Sequence, residues 1–171
     1  QLVDYRPRSL VSLTAQGREQ AVRVVRRHRI IELFLVQVME LDWGHVHAEA
    51  ETLEHAVSDR ILHRMDEMLG FPTHDPHGDP IPSSDGRMPE CVSGPFSECQ
   101  PGLYQIVRIS VDEAGFLAWI QEHEFQPGSR VDLKEVDPNA GTLTVRKPQS
   151  GDQQTIALTT ASKLMVVPMS D

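Results

Sequence analysis

The feature that most constrains the fold of this chain is the segment HAEAETLEH, residues 47–55. It contains four side chains of metal-ligating types at offsets of 0, 4, 7 and 8 residues: His47, Glu51, Glu54 and His55. On an α-helix these offsets bring all four onto one face, within an arc of about 100°. An amphipathic helix normally keeps such a face apolar. Two imidazoles and two carboxylates in its place suit a divalent transition metal such as manganese, iron or zinc.

Composition is typical of a folded globular protein. The 171 residues are 39% hydrophobic and 24% charged, which suits one domain with a full core or two small ones. No apolar run approaches the roughly 20 residues that span a bilayer, so we expect no membrane segment. The start, QLVDYRPRSL, lacks an initiator Met and a signal-peptide pattern, and we expect a first segment to precede it. Cys91 and Cys99 are too few for a disulfide framework, which favours free thiols over a bridge. Free thiols at the two cysteines would fit a reducing, cytoplasmic location, which is the one we expect.

Charge is distributed unevenly along the chain. The net charge is −9, which argues against nucleic-acid binding over the whole surface. Residues 1–29 nevertheless carry +5, with seven arginines against Asp4 and Glu19, and the remainder carries −14. A basic end on an acidic body fits a protein that contacts phosphate at one end, whereas RVVRRHR also fits a solvated helix face. Charge alone leaves both interpretations open.

Hydrophobic periodicity predicts a hairpin followed by three helices. Two β-branched runs in residues 1–14 flank Arg-Pro-Arg-Ser and predict a hairpin-like segment. Apolar spacings of three and four then predict helices from Ala15 to about Glu40, up to about Val57, and from Ser58 to Leu69, with Thr14, Asp42 and Ser58 as N-caps and Gly70 as a stop. The first helix becomes apolar nearly all round after Ile30, which suggests burial at a dimer interface.

The second half of the chain has β character. Residues 71–101 are rich in Pro, Gly, Ser and Asp and are predicted to be a linker, ordered by a ligand in its first third at most. Residues 102–171 contain five predicted strands: LYQIVRI, RVDLKEV, TLTVRKP, QTIAL and KLMVV. A short helix over about residues 113–124 separates the first two strands. The predicted fold class is therefore α+β, with a helical domain over residues 15–70 and a small, partly closed barrel over 102–171.

Two further groups of candidate ligands accompany the first. His28 and Glu32 lie four residues apart on one face of the long helix, and two such helices side by side could assemble up to six ligands. Helical His/Glu pairs at this spacing also occur as exposed pairs that stabilise a helix weakly, which is the rival interpretation. The loop THDPHGDP adds His74, Asp75 and His77, although Asp, Pro and Gly are common in turns.

These motifs, taken in order, carry a resemblance to a known family. VRRHRIIELFL, VHAEAETLEHAVSD, the PTHDPHGDPIP loop and the small β domain resemble the diphtheria-toxin-repressor family of metal-dependent transcriptional regulators, including its manganese branch. The resemblance implies a winged helix-turn-helix that binds DNA, helices that dimerise and hold metals, and a C-terminal barrel of the Src-homology-3 or FeoA type. LVDYRPRSLVSLTAQGR resembles the wing and the start of the following helix, with residues 1–14 as the remnant of the wing and Arg6 and Arg8 as weak DNA-backbone contacts. The helix-turn-helix itself would lie before Gln1.

The resemblance also implies the ligand sets. Glu51, Glu54 and His55 match the primary regulatory site, and a carboxylate at Glu51, where iron-type members have Cys, is the manganese-branch pattern. The ancillary site of iron-type members is matched by His28, Glu32 and His47. That of some manganese-type members is matched by Glu32, Asp75 and His77, completed by an acid for which Asp112 is the best candidate and Glu113 the next. The Glu/Gln pair that iron-type members take from the barrel has no clear match here.

The function implied is a homodimeric regulator of metal-ion homeostasis that responds to Mn²⁺, with Fe²⁺ as the alternative and Zn²⁺ or other divalent metals possible in vitro. Operator DNA would be bound through the N-terminal domain that precedes the sequence. A second hypothesis is the same metal-sensing module attached to a metal-transporter subunit. A third is a two-metal hydrolase, but the sequence shows no nucleophile motif and no Gly-rich phosphate loop, so we expect no enzyme activity.

Overall fold

The computed structural model describes residues 1–5, 10–90 and 92–169. The described chain forms two compact units. The first consists of Gln1–Asp75 and Pro80–Glu90, and the second contains Pro76–Asp79 and the described residues from 92 onward. No helix among the described residues has both the length and the apolar character needed to cross a membrane.

The first unit begins with the predicted hairpin and the long helix. Strands β1 (Val3–Asp4) and β2 (Ser12–Leu13) pair antiparallel, with Val3 opposite Leu13. Arg6 and Arg8, the predicted DNA-backbone contacts, lie outside the described residues. Helix α1 spans Ala15–Gln37 and has Thr14 as its N-cap, whose side chain accepts a hydrogen bond from the Gly17 amide at 3.0 Å.

Two shorter helices follow α1. Helix α2 spans Val46–Glu54 and helix α3 spans Asp59–Met68. As predicted, Ser58 is the N-cap of α3, and its hydroxyl accepts a hydrogen bond from the Ile61 amide. Gly70 follows the end of α3 with a φ of 72°, the left-handed conformation that terminates a helix, also as predicted. The prediction of Asp42 as the N-cap of α2 is wrong, because the helix starts four residues later and the Asp42 carboxylate instead accepts from the Gly44 amide in the preceding turn.

Two apolar clusters hold these helices together. Buried Ile31 and Leu35 of α1 pack with Val46 and Ala50 of α2. A second cluster joins Ile30 and Leu33 of α1 to Ile81, with apolar residues of α3 packed against it. The all-round apolar character of α1 after Ile30 thus serves partly to bury the helix inside its own unit, because two different faces are covered by α2, α3 and residue 81.

The second unit is an antiparallel sheet of six strands in the order β3-β8-β4-β5-β6-β7. Its elements are β3 (Gly94–Pro95), β4 (Gly102–Ile109), α4 (Ala114–Glu122), β5 (Arg130–Asp137), β6 (Thr142–Arg146), β7 (Gln153–Ala157), α5 (Leu158–Ala161) and β8 (Leu164–Pro168). Alternation decides which residues are buried, as with Val131 and Leu133 of β5 and Leu143 and Val145 of β6. The five predicted strands, the helix between the first two and the α+β fold class are confirmed.

The segment 71–101 differs from the predicted linker. Residues 71–75 and 80–90 belong to the first unit, where Ile81 is buried against α1 and its amide donates to the Thr73 carbonyl at 2.8 Å. The last part contributes β3 and a 3₁₀ turn, Phe96–Glu98, whose Phe96 is fully buried. Pro, Gly and Asp are typical of turns, but the buried side chains of Ile81 and Phe96 fix this segment to the two units. Two apolar residues are too few to change the composition of the segment, so the prediction of a linker overlooked them.

Candidate metal centre

The packing of α1 on α2 brings two polar stripes together. On α1, His28 and Glu32 lie beside the buried Ile31, and on α2, His47 lies beside the buried Val46. Because the apolar cluster fixes the two helices side by side, the adjoining polar stripes of α1 and α2 meet along the same seam. The first unit therefore brings candidate ligands of both helices to one seam, and their joint binding of a metal stays a prediction.

Three ligand atoms converge on one point of this seam. We call His28, Glu32 and His47 the inner cluster. The His28 Nε2 atom lies 3.0 Å from Glu32 Oε1 and 3.0 Å from His47 Nδ1, and His47 Nδ1 lies 3.1 Å from Glu32 Oε1. The Glu32 side chain is only 3% exposed.

This triangle fits a divalent metal ion. Ligand atoms about 3.0 Å apart could share one metal ion with bonds of about 2.1 Å, and in the metal-free protein the contacts of His47 with His28 and Glu32 are hydrogen bonds. Imidazole nitrogen and carboxylate oxygen are also the donors that manganese, iron and zinc accept.

The remaining ligand candidates of α2 form a looser group. We call Glu51, Glu54 and His55 the outer cluster. Glu54 Oε2 lies 2.9 Å from His28 Nδ1, while its Oε1 lies 3.3 Å from His55 Nε2, and Glu51 Oε1 lies 3.6 Å from His47 Nε2. The side chains of Glu51 and His55 are 65% and 79% exposed. Unlike the inner cluster, these three described residues do not offer ligand atoms that all lie within 4.8 Å of one another.

The protonation of His28 reflects the two carboxylates around it. Burial of the imidazole disfavours its charged form, but hydrogen bonds and charge from Glu32 and Glu54 outweigh that effect and raise the pKa of His28 above its usual value. Without a metal, the inner cluster therefore holds a proton more firmly than an ordinary imidazole does. A metal ion that binds there must displace that proton.

The other candidates divide between the two units. In the first unit, Asp75 is buried and its Oδ2 lies 3.5 Å from the Arg29 Nε. In the second unit, His77 is buried and its backbone carbonyl accepts from the Ile109 amide at 2.9 Å, while Asp112 is exposed just before α4. The predicted ancillary site of Glu32, Asp75 and His77 with Asp112 draws on both units and stays a prediction.

Three arginines of α1 have internal partners that the sequence did not predict. Arg26, Arg27 and Arg29 have side chains that are each only 20% exposed. Arg26 donates to Asp66, Arg27 to Asp59, and Arg29 to the Pro80 carbonyl at 2.6 Å. Neither a phosphate-binding surface nor a solvated helix face describes these three side chains. Their position beside His28 was the one signal that could have indicated an internal role.

Comparisons with known proteins find similarity to metal-dependent repressors. Residues 14–83 match the family model of the "Iron dependent repressor, metal binding and dimerisation domain". The iron-dependent repressor IdeR of Mycobacterium leprae is 44% identical over 72 residues, which is 42% of this chain and 31% of that protein. The match thus spans about a third of the curated relative's length. A solved structure named "Manganese-dependent transcriptional repressor complex with manganese" superposes with a TM-score of 0.89 at 38% identity, covering 98% of this chain and 78% of that one.

One relative carries a different name. A "Probable metal transport system membrane protein" of Chlamydia trachomatis is 35% identical over 80 residues, which is 47% of this chain and 18% of that protein. A segment similar to this chain therefore also occurs in a protein named for transport.

Proposed function

The chain belongs to the diphtheria-toxin-repressor family of metal-dependent transcriptional regulators, and on that premise we propose that it is the metal-sensing and dimerisation part of a manganese-responsive regulator. The observation that carries the proposal is the inner cluster, whose three ligand atoms lie 3.0–3.1 Å apart on two different helices. The outer cluster adds a second ligand set on the face of α2 that carries His47. Its residues, Glu51, Glu54 and His55, form the proposed primary regulatory site.

The donor types support manganese over softer metals. Both clusters consist of imidazole and carboxylate groups, and Glu51 supplies a hard carboxylate where a thiolate would favour iron or zinc. Iron(II) accepts the same donors and is the alternative metal.

The residues of this chain would act by linkage. When bound, Mn²⁺ would supply a divalent charge close to both helices. His28 and Glu32 hold their ligand atoms in place from α1 and His47 from α2, so the packed arrangement of the two helices is the one that binds. Such binding stabilises the packed form and shifts the population toward it.

The proposal extends to partners. A second copy of the chain is the proposed dimer partner, and the exposed Val38, Met39 and Leu41 after α1 offer apolar surface for it. Operator DNA is the proposed target of a helix-turn-helix preceding Gln1, in a cytoplasmic protein without enzyme activity. Robust phosphodiesterase or peptidase turnover with Mn²⁺ would contradict the last point.

Calorimetry tests the proposal directly. Mn²⁺, Fe²⁺ and Zn²⁺ are titrated into metal-free protein, with the Glu51→Ala and His55→Ala variants alongside. We expect the parent to bind Mn²⁺ and both variants to bind it more weakly. If both variants bind Mn²⁺ as the parent does, the assignment of the primary site is wrong.

A second candidate is the same module in a metal-transporter subunit, which the transport-system relative favours. The coding sequence immediately upstream of Gln1 distinguishes the two. Helix-turn-helix periodicity supports the regulator, and membrane-spanning segments support the transporter.

A further inference from the structure

We propose that Arg27 is a positioning residue, which fixes the end of α2 so that Glu54 and His55 present their ligand atoms to a metal. The inference rests on the proposed function, because it assigns Arg27 a role in the outer cluster. Arg27 is not itself a candidate ligand, since a guanidinium remains protonated and has no acceptor.

The contacts of Arg27 all fall on the junction between α2 and α3. Its Nε donates to the Glu54 carbonyl at 3.1 Å. One terminal nitrogen donates to the Asp59 carboxylate at 2.5 Å and the other donates to the Val57 carbonyl. One side chain of α1 thus holds the last residue of α2, the connecting turn and the first residue of α3.

The end of α2 needs such support. The helix has only nine residues and no side-chain hydrogen bond at its N-cap, His45. A short helix frays easily, and its last carbonyls have no partner within the helix. Glu54 is the final helical residue and His55 the C-cap, so two candidate ligands stand on the turn that would fray first. A cation that bonds these carbonyls also interacts favourably with the negative end of the helix dipole.

Arg27 and His28 hold Glu54 at two points. His28 Nδ1 lies 2.9 Å from the Glu54 carboxylate, and Arg27 Nε bonds the carbonyl of the same residue at 3.1 Å. Two consecutive residues of α1 therefore fix both the side chain and the backbone of one candidate ligand. Partners that orient metal ligands in this way typically change metal affinity by about 10–100-fold when they are removed.

The geometry requires an arginine. The three acceptors are bonded by three different nitrogens of one planar guanidinium, each with its own N–H group. A lysine ammonium could reach one or two of the acceptors but could not hold all three in this arrangement, which makes Arg27→Lys the informative conservative change.

The chain also supplies a matched control. Arg26 is the preceding residue of α1, its side chain is equally 20% exposed, and it bonds Asp66 and the Pro82 carbonyl. None of these contacts involves α2. Loss of Arg26 should therefore lower stability as loss of Arg27 does, without touching the end of α2.

The experiment titrates Mn²⁺ into the metal-free full chain and its Arg27→Gln, Arg27→Lys, Arg26→Gln and Glu54→Gln variants. The binding step lost in Glu54→Gln identifies the outer cluster. The readouts are the Kd of that step, the Mn²⁺ electron paramagnetic resonance spectrum, and the melting temperature of the metal-free protein.

We expect Arg27→Gln to weaken the outer-cluster step by about 10–100-fold and to broaden the resonance, with Arg27→Lys between it and the parent. Arg26→Gln should lower the melting temperature while its Kd stays within about twofold of the parent, well below that outer-shell range. Should Arg27→Gln fail to fold, Arg27→Lys decides by the same Kd comparison.

The inference is overturned if the Arg27 variants bind Mn²⁺ as the parent does, or if Arg26→Gln weakens binding equally. If Glu54→Gln itself leaves Mn²⁺ binding unchanged, the part of the proposed function that makes the outer cluster the primary regulatory site fails instead, and the two failures are distinguishable.

Discussion

The inner cluster joins α1 to α2 and the outer cluster lies on α2 alone, and although both contain the same types of side chain, their geometry differs. Inner-cluster atoms lie 3.0–3.1 Å apart around a carboxylate that is 3% exposed. The closest outer-cluster pair, Glu54 and His55, is 3.3 Å apart, and the His55 side chain is 79% exposed. The inner cluster lies beside the apolar core that joins α1 and α2, whereas the outer cluster lies where α2 ends.

The difference teaches that ligand convergence here follows from helix packing. A ligand set beside a close-packed core needs little ordering to bind a metal, and one at a helix end needs support from outside the helix. Arg27 supplies such support in this chain.

The largest expected effect tests the inner cluster. Glu32→Ala removes the carboxylate that contacts both imidazoles. Since loss of a mere orienting partner costs about 10–100-fold in affinity, loss of this direct ligand should weaken the inner-cluster step by more than about 100-fold. Calorimetry should show the outer-cluster step nearly unchanged. Equal losses at both steps would mean that the two clusters act as one site.

A smaller effect tests the outer cluster. Glu51→Cys exchanges a hard donor for a soft one and should shift metal preference from Mn²⁺ toward Fe²⁺ or Zn²⁺ by on the order of tenfold. Competition titrations measure this preference, and Glu49→Cys, an exposed position on the same helix, is the matched control. Unchanged preference in Glu51→Cys would remove the basis for assigning manganese.

The pH dependence of stability should report on the charge of His28, a residue of the inner cluster. Because the pKa of His28 is raised in the folded protein, its charged form stabilises the metal-free fold at pH values below the unfolded value of about 6.5. That contribution is lost as the pH rises through the raised pKa. The difference in melting temperature between the parent and His28→Gln should therefore shrink from pH 5.5 to pH 8.5, roughly spanning the histidine range. A difference that is constant with pH would contradict the assigned ion pairs.

Mn²⁺ binding at the inner cluster should show the opposite trend. Each bound ion displaces the His28 proton, so the affinity should rise by up to about tenfold per pH unit below the pKa. Titrations in buffers of different ionisation enthalpy would reveal the released proton. Absence of proton release at pH 6 would show that His28 is not a ligand.

The smallest expected effect comes from a His/Glu pair on α3 that has the same spacing as His28 and Glu32 but is exposed. His63 and Glu67 on α3 lie four residues apart, as His28 and Glu32 do, but their side chains are 67% and 39% exposed and the closest atoms are 3.4 Å apart. His63→Ala should change the free energy of unfolding by no more than about 0.5 kcal/mol and leave Mn²⁺ binding unaltered. A loss of Mn²⁺ affinity in His63→Ala would mean that α3 also contributes metal ligands.

These two pairs also show how far sequence reasoning reaches. Periodicity and capping residues predicted α1, α3 and five strands, because those signals are local. Spacing identified His28 and Glu32 as candidates, but the same spacing occurs in His63 and Glu67, and only tertiary packing decides which pair is buried. The packing of Ile81 and the contacts of Arg27 were not predicted for the same reason. Their partners lie about 50 and about 30 residues away along the chain, and no local sequence pattern indicates such distant contacts.

The central claim is that α1 and α2 form a metal site of this chain's own residues. Crystals of the full chain grown with Mn²⁺ test it through anomalous diffraction measured on both sides of the manganese absorption edge. The account predicts a manganese peak within bonding distance of His28 Nε2, Glu32 Oε1 and His47 Nδ1. Manganese peaks elsewhere in the molecule with none between α1 and α2 would contradict it.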